Sequence, residues 1–158
     1  MKKLLFLLFV GLLTLTSCDK PVGTVSGTVT YFYNDFIGYK PDVGATVYVT
    51  TAECDSLSNY LHKATLSNIA GEPIDSVLER NTYIMLHKIL QDSLVATTNV
   101  NGLGEYTIDL PEGNYRLIFK SVGRKRLNMF EINGRVEVKR VWVKGEKNTN
   151  ESVKFYMY

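Results

Sequence analysis

The sequence predicts an all-β fold interrupted by one helical stretch, and three observations carry this. Runs such as residues 105–110 and 115–120 alternate apolar and polar side chains with a period of two. Glycine, proline and asparagine punctuate those runs. Between residues 55 and 66, and again from Val77 to Ile84, the apolar spacing lengthens to that of a helix face.

The chain opens with Lys2 and Lys3, an apolar run from Leu4 to Leu13, and small residues before Cys18. That run of about ten residues is half of the ~20 needed to cross a bilayer core. It reads as a secretory signal over residues 1–17. Residues 18–23 form a tether, and residues 24–158 are expected to make one domain.

Thr24 to Tyr33 is rich in β-branched and aromatic residues, with Val25, Val29 and Tyr31 on one face. Gly27 breaks that row, which signals a bulge or a close backbone approach. Asn34 to Asp42 reads as a loop. Val43 to Thr50 is a strand in which Ala45, Val47 and Val49 alternate with Thr46, Tyr48 and Thr50. Leu57, Tyr60, Leu61 and Ala64 then follow the i, i+3, i+4, i+7 spacing of a helix. Ser67 to Pro73 is a break, and Ser76 to Glu79 matches a capping box. Val77 and Ile84 are placed to share a buried stripe behind it, although Tyr83 to Leu86 also fits a short strand.

Strand grammar returns at Leu94 to Thr98 and, after a turn-rich link, at Glu105 to Leu110, with Tyr106, Ile108 and Leu110 on one face. Pro111 to Asn114 is a tight connection. Tyr115, Leu117 and Phe119 share the next inward face, and the short link predicts an antiparallel hairpin. Asn133-Gly134 is a turn candidate. Val136 to Val143 is a strand whose alternation slips at Lys139-Arg140, where a bulge or bend is expected. Gly145 to Asn150 is a polar loop, and Val153, Phe155 and Met157 alternate in a closing strand.

Residues 97–117, with a polar glycine turn, a short strand, then Pro111-x-Gly113-x-Tyr115, resemble the carboxypeptidase regulatory-like family. Val25 to Val29 and Pro41 to Val47 are similar to that family's opening. The resemblance implies a transthyretin-like, immunoglobulin-like antiparallel β-sandwich of about seven strands. It leaves residues 52–92 as a helical insertion. Modules of this kind usually act as structural, docking or binding units.

Leu15-Thr16-Ser17-Cys18 resembles the lipobox of bacterial lipoproteins. This implies cleavage before Cys18, acylation (palmitate among the chains) and attachment to a cell membrane. The expected location is the bacterial outer membrane, facing the periplasm or the cell surface. Asp19 resembles an inner-membrane retention signal in some Gram-negative bacteria, and other groups read charged residues here as an export signal, so both membranes stay open. Removing Lys2 and Lys3 from the eighteen basic residues leaves sixteen, equal to the sixteen acidic ones. A neutral mature chain gives no electrostatic case for nucleic acid. With Cys18 lipidated, Cys54 has no intramolecular partner, and the acidic neighbours Glu53 and Asp55 lower its reactivity.

Little in the sequence points to catalysis. His62 and His87 both fall in the insertion, and no H-E-x-x-H or C-x-x-C accompanies them, so no metal is expected. Asn99, Asn101 and Glu105 make a poor calcium loop and a better turn. Arg124-Lys125-Arg126 and Lys139-Arg140 are small basic clusters. Tyr31, Phe32, Tyr33, Phe36 and Tyr39 gather around the first loop, and of these Tyr31, Tyr33, Phe36 and Tyr39 are the candidate ligand-binding residues. The leading expectation is a non-enzymatic, cofactor-free envelope lipoprotein, a binding or assembly module whose partners are the membrane, through Cys18, and an envelope protein. A glycan-binding accessory protein is the first alternative. A small hydrolase, with His62 or His87 beside a nucleophile, is the second.

Overall fold

The computed structural model describes residues 20–59, 61, 76–123 and 135–156. In chain order these form β1 (Val22–Asn34), β2 (Gly38–Pro41), β3 (Thr46–Thr50), a helical segment at residues 55–59, α1 (Ser76–Ser93), β4 (Leu94–Asn99), β5 (Glu105–Pro111), β6 (Gly113–Lys120), β7 (Val136–Val143), β8 (Asn148–Asn150) and β9 (Val153–Phe155). Two sheets face each other in a sandwich. One holds β1 with β2, β5, β8 and β9; the other runs β4-β3-β6-β7. All pairings are antiparallel except that β8 and β9 run parallel to β1.

β1 is the spine of the first sheet. Residues 22–28 pair with β5 and residues 30–34 with β2, while β8 and β9 pair with β1 as well. Its thirteen residues span about 40 Å. Val25 and Val29 are buried and Tyr31 packs against them, as the alternation requires. Gly27 marks a close backbone approach and not a bulge, because the pairing with β5 runs through it in register. A Cβ there would lie 2.2 Å from the Glu151 carbonyl oxygen. Tyr106, directly opposite Gly27, donates its hydroxyl to that same oxygen at 2.6 Å.

Several expected connections are corrected. The 34–42 loop contains β2, and the polar 145–150 loop contains β8. Neither carries an apolar alternation, and both are held by backbone hydrogen bonds to β1. β5 and β6 are not a hairpin. β5 lies beside β1 in one sheet and β6 between β3 and β7 in the other, so Pro111 to Gly113 is a corner between sheets. Tyr106 and Leu110 therefore face Tyr115, Leu117 and Phe119 across the core instead of beside them. The Tyr115 hydroxyl donates to the Pro111 carbonyl at 2.9 Å and pins the corner.

β7 has no bulge at Lys139-Arg140; its register against β6 is unbroken. The alternation slips because the buried face changes. Val141 and Val143 enter the core between the sheets. Val136 and Val138 sit on the outer face and belong to a second core with Tyr48, Ile118, Cys54, Leu57, Leu61 and Leu86. That second core lies beneath the helical insertion between β3 and β4.

Within the insertion, Leu57 and Leu61 are buried as their spacing predicts, while Tyr60, Ala64 and the 67–73 break lie outside the described residues. Residues 83–86 are helical and not a strand. The inward stripe of α1 is Thr82, Leu86, Ile89 and Leu90, with Met85 beside it; Ile84 is exposed, which corrects the expected stripe. The side chains of Ser76, Val77 and Glu79, and so the capping box, lie outside what is described, as does the Asn133-Gly134 turn.

Two outcomes are expected from this packing. Gly27→Ala drives a methyl into the Glu151 carbonyl and lowers unfolding free energy by about 3 kcal/mol, measured by urea titration. Burial pushes the Tyr106 phenol up, and the Glu151 carboxylate adds to this. The unfolded chain releases that proton near pH ~10, so the contribution of Tyr106 is complete below that pH and declines above it. Tyr106→Phe therefore reduces the alkaline fall in the urea midpoint as the pH rises above about 10.

Candidate functional site

The candidate aromatic residues gather at the far end of β1, in the β1–β2 hairpin. Residues 35–37 form its turn. The Asn34 side-chain oxygen accepts from the amides of Phe36 (3.1 Å) and Ile37 (2.8 Å), the local bonding for which asparagine is suited in turns. Gly38 follows with φ +73°, a conformation that residues with a Cβ rarely adopt. This geometry leaves Phe36 fully exposed at the tip, with Ile37 more than half exposed beside it.

Below the tip the rings divide between the two faces of the hairpin, because successive strand residues point to opposite sides. Tyr31 and Tyr33 lie on one face, 6.4 Å apart at 74°, and the Lys40 ammonium sits 3.5 Å over the Tyr33 ring. Tyr39 lies on the other face, 5.6 Å from Phe32 at 79° and 5.7 Å from Tyr156 at 88°. The Lys154 ammonium is 5.5 Å from the Tyr39 ring. Edge-to-face contacts of this kind are favourable aromatic geometry, and the ammonium groups add attraction to the ring faces. The result is a ridge with a phenyl tip. Tyr31 is its root, half-buried against the core, while Tyr33 and Tyr39 are its exposed flanks. The structure thus adds Tyr156 to the cluster and sets Phe32, already one of its members, against Tyr39. Tyr156 was reachable only by knowing that β9 runs beside β1.

The other chemistry-bearing residues are dispersed. His87 is on the exposed side of α1, its ring 6.2 Å from that of Tyr83; His62 lies outside the described residues. Asn101 spends its side-chain oxygen on the amides of Leu103 and Glu105, both at 2.9 Å, which builds a turn. Lys139 and Arg140 point to opposite faces. Lys139 donates to the Ser152 carbonyl at 3.0 Å, and Arg140 pairs with Asp55. Arg124 to Arg126 fall outside the described residues. Cys54 is buried and unbridged, and donates to the Ala52 carbonyl at 3.4 Å. Burial pushes its thiol up; Arg116 opposes this, and Glu53 and Asp55 add to it.

A buried thiol with a raised pKa reacts slowly. In a Cys18→Ala chain, where Cys54 is the sole thiol, maleimide labelling is expected to be slow in native buffer and fast in urea. Rapid labelling of the folded chain would contradict the burial.

No family model matches the chain, and no curated protein matches it. Among solved structures it is similar to the minor pilin GBS52 of Streptococcus agalactiae (10% identity, 88% of this chain and 46% of that one, TM-score 0.42). It is also similar to a candidate carbohydrate-binding protein of Pseudomonas aeruginosa (10%, 86% and 90%, TM-score 0.46). A third is the N-terminal domain of the shaft pilin SpaA of Lactobacillus rhamnosus GG (14%, 84% and 92%, TM-score 0.39). The chain spans less than half of the minor pilin's length.

Proposed function

We propose that this chain is a cell-envelope lipoprotein, held to a membrane by lipid on Cys18, that works as a non-catalytic binding or assembly module. The observation that carries the reading is the geometry of β1. Val22, at its start, lies four positions after Cys18, and the exposed Phe36 hairpin stands at its other end, about 40 Å away. The Pro21 carbonyl accepts from the Glu112 amide at 2.8 Å, so the entry to β1 is fastened to the base of the sandwich. Residues 19–21 reach about 10 Å at most. A lipid on Cys18 would therefore hold the base close to the membrane and turn the hairpin away from it. Two or three acyl chains, as the lipobox resemblance implies, make such an anchor stable.

The hairpin suits an apolar cleft on a partner protein. Phe36 offers a single large anchor, the kind of residue that dominates interface energetics, and the tyrosines around it supply a partly polar rim. A glycan at Tyr31, Tyr33, Phe36 and Tyr39 would call for a flat platform, which edge-to-face rings on two faces offer less well. A hydrolase would need a histidine beside a nucleophile, and the neighbour of His87 is Tyr83.

The test is crosslinking in intact cells with the full chain. Cys18→Ala is expected to leave the membrane fraction and lose palmitate label; retention of both would refute the anchor. Phe36→Ala is expected to stay in the membrane but lose its crosslinked partner. An unchanged partner would show that the hairpin is not the docking element.

A further inference from the structure

The outer face of the second sheet changes character along its length. Three cross-strand rows lie on it in register: Ile118 with Val138, Arg116 with Arg140, and Asn114 with Trp142. The first row is covered by the insertion and belongs to the second core. The third is open, and Trp142, the one tryptophan of the sequence, is 54% exposed. Between them two arginines stand directly opposite each other, an arrangement that is unfavourable for like charges. Glu53 pairs with Arg116 and Asp55 with Arg140, both carboxylates coming from the segment that follows β3. Arg116 is largely buried and its Nε has no hydrogen-bond partner. Two adjoining depressions of about 270 and 380 Å³ share the arginine pair as their common floor, and Trp142 walls the larger one.

We propose that this groove is a binding site for a neutral, pyranose-containing glycan. The chemistry selects that class on three counts. Two arginines and two carboxylates cancel, so the groove has no net charge with which to attract an ionic ligand. The same four groups, with Asn114, set donors beside acceptors along the groove, which matches vicinal hydroxyls that both donate and accept. An exposed indole beside them supplies the apolar face on which a sugar ring can lie. The larger depression is within the size range of small-molecule sites. An acidic glycan would first have to displace Glu53 or Asp55 from its arginine.

Trp142 reports on its own site, because no other indole contributes to the fluorescence. The full chain in detergent is titrated with cellotriose, maltotriose and mannotriose, and with trigalacturonate as the charged comparator. At least one neutral trisaccharide is expected to give a saturable emission change and protection from acrylamide quenching. Trp142→Ala, followed by calorimetry, is expected to weaken that binding about tenfold or more. Glu53→Gln and Asp55→Asn are expected to weaken it while circular dichroism stays unchanged. Phe36→Ala, at the other end of the molecule, is expected to leave it intact, which separates this site from the hairpin. Binding of trigalacturonate alone, binding lost with Phe36 and kept without Trp142, or no saturable binding of any neutral trisaccharide would each overturn the proposal.

Discussion

Glu151 and Ser152, between β8 and β9, pass so close to Gly27 that no side chain fits there, and the first sheet is organised about that crossing. Hydrogen bonds and an ion pair hold the two residues. The Glu151 amide donates to the Ser26 carbonyl, and the Glu151 carbonyl accepts from the Tyr106 hydroxyl. The Ser152 hydroxyl accepts from the Thr28 amide, the Ser152 carbonyl from Lys139, and the Glu151 carboxylate is ion-paired with the same lysine. Lys139 belongs to β7 in the opposite sheet, so this one point ties the two layers together at their open edge. It also lets β8 and β9 flank it as two short strands on a single edge of β1.

The second layer of organisation is the helical insertion. It converts the outer face of one sheet from a solvent surface into a second core under Leu57, Leu61 and Leu86. The cover stops at the arginine row. There the apolar face gives way to charges balanced by Glu53 and Asp55, and then to an uncovered indole. The insertion thus buries part of the face and supplies acidic partners at its boundary.

Period-two alternation made individual strand faces legible. Ala45, Val47 and Val49 are buried as read, and so are Tyr115, Leu117 and Phe119. Alternation names a face and says nothing about which strand lies alongside. That is why β5 and β6 read as a hairpin when they lie in opposite sheets. β8, Asn148-Thr149-Asn150, carries no apolar residue and is a strand only because β1 offers it a hydrogen-bonding edge. In β7 the slip at Lys139-Arg140 was a true signal with a different cause, since burial passes from one face of the strand to the other. A loop around Phe36 was legible from its turn residues, but the hairpin was not, because Gly38–Pro41 carries no apolar alternation. The division of its rings between faces depended on β2, and the Arg116–Arg140 row depended on register, which no local pattern encodes.

The pairing of β1 with β8 and β9 has a kinetic side. Ser26 meets Asn148 across 122 positions, and Thr28 meets Ser152 across 124. Contacts so distant in sequence give the fold a high contact order, and the entropy of closing such a loop must be overcome before the contacts can repay it. β1 leaves the ribosome long before β8 and β9 exist. Until they arrive, six of its thirteen residues lack their native partners along one edge, which is the kind of unpaired surface that invites aggregation. Completion of this sandwich is therefore an event of the whole chain and not of its first half.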